Sequence, residues 1–361
     1  MAELMKQEEK AVFALRALYQ RFGYTQFKMS KFESYDLYMQ NKDFLVSDGI
    51  ITFTDTDGTL MALKPDVTLS IVKNFRGDQQ PLQKVYYNEN VYRISAASHS
   101  YREIMQTGLE CIGDIGLYDI CEVILLAAKS LQAISERFVL DISHMQIIWD
   151  AIHACSLSYK DQVDVLTAIG DKNEDALCAY PLLQKLVKTS GLLKDVLPVL
   201  NEFCIADEAR NAITQLQTIE AILDQNGYSD HVQLDFSIVN DMNYYNGIVF
   251  RGYIEGIPNS VLSGGQYDKL MEKMGKNAGG IGFAVYLDQL ALLDTIQKKY
   301  DVDTVLLYTD DSDIPTLSCK AGELSADGGT VLLLKKLPET LRYGQLLSFE
   351  NGRLQELENN G

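Results

Sequence analysis

The stretch Ile104-Met-Gln-Thr-Gly-Leu-Glu-Cys-Ile112 decides the reading of this chain. Two-residue alternation along a strand sends Gln106, Gly108 and Glu110 to one face and Met105, Thr107, Leu109 and Cys111 to the other. One face is apolar; the other offers an amide, a gap and a carboxylate. Two arrangements fit: a half-exposed strand with its polar residues in water, or a pocket floor that hydrogen-bonds a small polar ligand over the missing side chain at Gly108. Residues 84–94 read as a second strand, and the small polar run Ser95-Ala-Ala-Ser-His-Ser100 can only be a loop. The segment 84–113 is therefore predicted to be an antiparallel hairpin.

Working outward, residues 8–22 place Val12, Leu15, Leu18, Tyr19 and Phe22 at helical spacing, with Gly23 as the stop. Residues 50–63 read as two short strands around an Asp57-Gly58 turn, broken by Pro65, with a helix to follow. Residues 118–136 are predicted helical and 138–142 a strand. From 144 to about 226 the pattern predicts helices throughout, punctuated by Gly170, Pro181, Gly191 and Gly227. Strands return at 232–239, 247–254 and 279–286, the last running into an apolar helix. Beyond Lys298 comes an alternating tail: strand 302–308, helix 315–326, strand 330–334. This order argues for an α+β core over 1–298, with a helical insertion at about 144–228 and a small α/β region at 299–361. It argues against a doubly wound nucleotide-binding sheet.

Composition narrows the function. The 361 residues carry a net charge of −18 and are 47% hydrophobic, a globular balance that opposes binding to phosphate polyanions. No nucleic-acid partner is expected. Six cysteines without a Cys-x-x-Cys pair read as free thiols of a reducing compartment, and four histidines without a His-Glu-x-x-His pattern point to no metal. The acidic start and the absence of an apolar run of ~20 residues predict a cytoplasmic chain with no membrane contact.

Other constellations are weaker. Asp66 and Thr68 follow Pro65 with a two-residue offset, which a helix cap explains as readily as a site. Tyr244-Tyr245 and Ser263-Gly-Gly-Gln-Tyr267 suit an aromatic-lined cavity whose glycines admit a ligand, or ordinary turns. Gly279-Gly-Ile-Gly282 precedes a strand rather than opening a helix, so it is no dinucleotide loop. Thr309-Asp310-Asp311 after an apolar run has a faint likeness to the diphosphate loop of phosphoribosyltransferases, but no Thr-Gly phosphate loop follows. No catalytic residue and no cofactor is assigned.

Taken in order over about residues 5–296, these pieces resemble the catalytic core of the class II histidyl-tRNA synthetases. The resemblance rests on Gly23-Tyr24, Phe32-Glu33, Leu63-Lys-Pro-Asp-Val-Thr68, Val91-Tyr-Arg93, Tyr101-Arg-Glu103 and Gln106-Thr-Gly-Leu-Glu110. It continues through Asn243-Tyr-Tyr-Asn-Gly-Ile-Val-Phe250, Gly264-Gly-Gln-Tyr-Asp268 and Gly282-Phe-Ala-Val-Tyr-Leu-Asp-Gln-Leu290. It implies an antiparallel sheet flanked by helices. It also implies a histidine pocket: Asp66 (in place of Glu), Thr68 and Gln106 on the amino group, Glu110 and tyrosine from Tyr244-Tyr245 on the imidazole, and Arg93 retained from the second motif. The phosphate-binding cations of that family are thinned out. Gln289, Asn240 and Gln266 stand where the family has arginine, Ser95 where it has Glu, and Ala96-Ala-Ser-His-Ser100 where it has a basic loop. Loss of one transition-state donor typically costs ~10²- to 10³-fold in rate.

A retained pocket without the phosphate chemistry is similar to the synthetase-like regulatory subunits of ATP phosphoribosyltransferase. That resemblance implies a short catalytic phosphoribosyltransferase as partner, L-histidine as feedback effector, and a homodimer, paired through the first-motif region, inside a hetero-oligomer. The short acidic tail, with Asp301, Asp303, Asp310, Asp311 and Asp313, fits a tRNA-binding domain poorly. Two alternatives stay open: an active histidine-activating enzyme in which Arg93 and Arg102 hold ATP, and a free-standing histidine sensor.

Overall fold

A computed structural model describes residues 5–45, 49–77, 81–94, 100–200, 203, 206–239, 244–293, 299–326 and 328–360. The chain forms two units, Met1–Leu292 and Leu293–Gly361. The first opens with α1 (Gln7–Arg21), which buries Ala11, Val12, Leu15 and Tyr19 along one stripe. It ends where Gly23 takes φ +83°, a left-handed conformation that glycine adopts without a Cβ penalty. There follow β1 (Thr25–Gln26), β2 (Phe32–Ser34), α2 (Tyr35–Gln40), β3 (Thr52–Thr54), β4 (Leu60–Leu63) and α3 (Thr68–Asn74). Strands β2, β4 and β3 make a small antiparallel sheet, with the predicted turn closed by Gly58 at φ +88°.

Next come β5 (Leu82–Ile94) and β6 (Tyr101–Gly113), the predicted hairpin, in a register that sets Tyr87 opposite Gly108 and Val85 opposite Glu110. Its connecting loop at 95–99 lies outside the described residues. Helix α4 (Leu117–Ile134) leads to β7 (Phe138–His144) and then α5 (Met145–Ala154), α6 (Tyr159–Gly170), α7 (Pro181–Lys188), β8 (Ser190–Leu192), α8 (Leu193–Leu200) and α9 (Asp207–Gln225). The insertion is thus not helical throughout. Ser190–Leu192 is extended and pairs antiparallel with β9 (Val232–Asp235), a contact with no local sequence signature. Strand β9 stops at Asp235, short of the expected 239. Then come β10 (Ile248–Ile254), β11 (Leu262–Gln266), α10 (Asp268–Lys273) and β12 (Gly279–Tyr286), with a 3₁₀ turn at Leu287–Leu290.

Among the described residues the main sheet has nine strands in the order β1-β5-β6-β12-β11-β10-β7-β9-β8. It is antiparallel through its centre, but β1 with β5 and β7 with β9 are parallel, so the sheet is mixed at its flanks. One face is closed by α1 and α4, where Tyr19 stacks edge-on against Phe283 at 6.0 Å and bonds Ser130 at 3.1 Å. Leu109 and Cys111 are fully buried, as the apolar phase of the strand requires. Each such aliphatic or aromatic side chain is worth about 1.5–3 kcal/mol on burial.

The second unit contains β13 (Val302–Leu307), a helix at Ile314–Ser325, β14 (Val331–Leu334), β15 (Tyr343–Glu350) and β16 (Arg353–Asn359). Strands β14, β13 and β15 are parallel, β16 is antiparallel, and Leu306, Leu317, Leu347 and Phe349 form one core cluster. The β15–β16 hairpin was not expected. Its turn places Asn351 at φ +49° and Gly352 at φ +72°, both left-handed, the requirement of a type I′ hairpin. Asp310, in the acidic run after β13, is ion-paired with Lys335.

Among the described residues no helix is long and apolar enough to cross a membrane, and no cluster of three or more His, Cys, Asp or Glu could hold a metal. Cys111, Cys121, Cys155, Cys178 and Cys319 are free; Cys204 lies outside the described residues.

Candidate functional site

Sheet register decides which side chains can meet on the face opposite α1 and α4. Glu110 pairs with Gly282, and Gly282 with Gly265; Gly108 pairs with Ala284, and Ala284 with Ser263. These rows of small residues leave a trough across β6, β12 and β11. The trough becomes a cavity of about 300 Å³, lined among others by Asp66, Thr68, Tyr87, Arg93, Gln106, Glu110, Tyr244, Tyr245, Arg251, Ser263, Tyr267 and Tyr286. That size is at the small end of the range for small-molecule sites. All seven candidate site residues therefore border one cavity. The polar face of β6 is not in bulk water: Gln106 is 4% exposed and Glu110 2%.

Glu110 is the centre of the arrangement. Its two oxygens accept hydrogen bonds from Thr68 Oγ1 at 2.7 Å and from the Tyr267 hydroxyl at 2.6 Å. Burial pushes its carboxyl up to about 8, with both hydroxyls opposing the shift. A carboxyl of this kind is held protonated at neutral pH in the ligand-free protein and ionises when a charged donor arrives beside it. Asp66 is also buried and also raised by burial, while the Leu69 N–H, bonded at 2.8 Å, and the nearby Arg93 guanidinium pull the other way. Asp66 thus caps the start of α3 and borders the cavity at once, whereas Thr68 turns its hydroxyl to Glu110. Arg93 Nε donates to the Pro65 carbonyl at 3.0 Å and so holds the Pro65-Asp66 segment. Behind it the fully buried Lys64 pairs with Glu89 at 2.9 Å.

Burial raises the phenols of Tyr87, Tyr244 and Tyr267 and keeps them neutral. Tyr244 packs edge-on against Tyr245 and Tyr267, with ring centroids 4.6 and 6.0 Å apart. Glycines make this packing possible. A Cβ on Gly280 would lie 2.2 Å from the Tyr267 ring, and one on Gly282 would lie 1.8 Å from Glu110 Oε2.

The structure changes three details of the reading. The gap at Gly108 is not open to a ligand, because the Tyr87 hydroxyl fills it, 2.5 Å from where a Cβ would stand. Gly265 makes room for the Tyr245 ring rather than for a ligand. Gln266 points away and bonds Asp268 at 2.6 Å. Arg251, Tyr87 and Tyr286 were missed; Arg251 stands one residue beyond the Asn243–Phe250 segment, and its place depends on which strands flank β10. Of the expected cation losses, Gln289 is bonded to Asp288 at 3.1 Å and Asn259 at 3.4 Å, while Asn240 lies outside the described residues.

A central antiparallel sheet with its polar trough between α3, β6 and β10–β12 defines a class II aminoacyl-tRNA synthetase-like core. The family description histidyl-tRNA synthetase matches residues 2–290, and the chain belongs to that family. A relative from Bacillus cereus (strain AH187), named ATP phosphoribosyltransferase regulatory subunit, is 28% identical, aligning 81% of this chain with 74% of its own length. The solved structure of an ATP phosphoribosyltransferase regulatory subunit/histidyl-tRNA synthetase from Bacillus halodurans matches with a TM-score of 0.73 at 20% identity, covering 95% of this chain and 93% of that one. A chain of an ATP phosphoribosyl transferase complex from Thermotoga maritima matches with a TM-score of 0.63 at 18% identity, over 78% of this chain and 97% of that one. At these identities the two structures establish the fold.

Proposed function

We propose that this chain is a non-catalytic regulatory subunit of ATP phosphoribosyltransferase in the cytoplasm. In this reading a short catalytic subunit depends on it for activity, and L-histidine bound in the cavity feeds back on the first step of histidine biosynthesis. The observation that carries the reading is the make-up of the cavity. Two buried carboxyl groups, Asp66 and Glu110, a buried amide, Gln106, and the tyrosine wall suit the amino group and the imidazole of histidine. The name shared by the curated relatives supports the regulatory role, and the Thermotoga maritima complex supports assembly with a catalytic chain. A homodimer within that hetero-oligomer is part of the proposal.

Synthetase chemistry needs preorganised cations where charge develops on the α-phosphate. Gln289 supplies an amide held by Asp288 and Asn259 instead. The test has two arms. Pull-down from a native extract should co-purify a chain with ATP phosphoribosyltransferase activity that falls when L-histidine is added; its absence leaves the free-standing sensor. Purified protein should show no histidine-dependent pyrophosphate exchange into ATP, and exchange well above a no-protein blank would establish the histidine-activating enzyme.

A further inference from the structure

The row that crosses the sheet at Gly108 does not end at Ser263. Ser263 pairs with Arg251 on β10, and Arg251 with Asp141 on β7. Arg251 therefore shares the face of Gln106 and Glu110, three strands away from β6 at about 4.8 Å per step. The positions between, Ala284 and Ser263, are small, so no bulky side chain of that row separates its guanidinium from the acidic end of the cavity. Arg251 borders the cavity and is half-buried. Among the described residues it makes no hydrogen bond and no ion pair within 4.0 Å; Asp141, opposite it on the neighbouring strand, interacts with it only through space. The other cation at the cavity, Arg93, is committed to the Pro65 carbonyl and faces Asp66. Beside Arg251 the Ser263 and Tyr286 hydroxyls are bonded to one another at 2.6 Å, a neutral polar pair.

The cavity is thus polarised: carboxyl groups and an amide at the α3 and β6 end, a guanidinium with no hydrogen bond of its own among the described residues at the β10 end. A half-buried cation whose nearest anion, Asp141, acts on it through space but forms no ion pair gains from a ligand that brings a carboxylate into hydrogen-bond contact. We infer that Arg251 binds the carboxylate of the ligand, so that the cavity selects an α-amino acid zwitterion rather than an amine. This rests on the reading of the cavity as a histidine site and adds the group that holds the end of the molecule left unassigned at Asp66, Gln106 and Glu110.

The experiment is calorimetric titration of L-histidine and of histidinol, the alcohol that lacks the carboxylate, into the full-length protein and its Arg251→Gln and Arg251→Lys variants. The wild type should prefer L-histidine by about 10- to 100-fold, the worth of a charge-assisted hydrogen bond. Arg251→Gln should erase that preference by weakening L-histidine alone, with histidinol affinity held within about 2-fold, and Arg251→Lys should keep part of it. Retained histidinol binding also shows that the variant folds. If Arg251→Gln preserves the preference, or weakens both ligands equally, the assignment of Arg251 is overturned while wild-type histidine binding stands. If the wild type binds neither compound, the histidine reading falls and the assignment with it.

Discussion

Glu110→Gln in the ligand-free protein should change not merely stability but its dependence on pH. In the fold the Glu110 carboxyl is buried between Thr68 and Tyr267 and is pushed from the usual 4.5 up to about 8. The folded chain therefore binds more protons than the unfolded chain between those values. Stability from this group is complete below 4.5 and is lost as pH rises toward and through 8. At about 1.4 kcal/mol per unit, the wild type should lose about 3 kcal/mol between about pH 5.5 and about pH 8 through Glu110 alone. Glutamine carries no such penalty. Its carbonyl can accept from one hydroxyl, and its NH₂ can donate to the other once that hydroxyl turns. The raised Asp141 and the lowered His144, neither of which acts on Glu110, cancel in the difference, whereas Asp66, which raises Glu110 through space, loses a neighbouring charge in the variant. The assay is urea unfolding at the two pH values, followed by the fluorescence of Trp149, the one tryptophan of the chain. The stability of Glu110→Gln relative to wild type should rise by about 3 kcal/mol with pH. A difference that stays constant would refute the claim that burial holds Glu110 protonated.

The same variant should bind L-histidine about 1.5–3 kcal/mol more weakly in calorimetry, the range for a charge-assisted bond to the imidazole; unchanged affinity would place the effector elsewhere. Gly282→Ala would put a Cβ 1.8 Å from Glu110 Oε2 and 2.4 Å from the Leu109 carbonyl, and should cost about 1–3 kcal/mol or more. Gly322→Ala, in the helix Ile314–Ser325 with nothing within 4 Å, should gain about 1 kcal/mol; thermal melts in the opposite order would contradict both. In a complex with the catalytic partner, L-histidine should bind more weakly when phosphoribosyl pyrophosphate saturates the partner, by the same factor that histidine weakens the substrate, typically ~1–3 kcal/mol. Two equal histidine affinities would defeat that linked mechanism.

Much of the architecture is local and was legible as such. The β5–β6 hairpin follows from alternation over 104–112 and a loop that cannot pack, and α1 follows from apolar spacing ended by Gly23. The β15–β16 hairpin was equally legible through Asn351-Gly352, a turn signal that the tail's βαβ pattern hid. Strand β8 was not, since Ser190–Leu192 carries no alternation and is extended only because β9 lies beside it.

The chain by itself determined the inventory: a strand with Gln106 and Glu110 in one phase, an acidic Asp66 and a Thr68 near a helix start, glycines at 264, 265, 280 and 282, and a net charge of −18. Tertiary structure decided what that inventory does. Glu110 has its carboxyl raised because the assembled sheet buries it away from water, against the opposing hydrogen bonds of Tyr267, 157 positions away, and Thr68, 42 positions away. Gly108 is a site for the Tyr87 hydroxyl rather than for a ligand, and Arg251 reaches the cavity only because β10 lies between β11 and β7. The physical reason is the same in each case. Periodicity reports which side of its own strand a residue occupies, while burial, charge state and partners depend on the order in which distant strands are laid side by side.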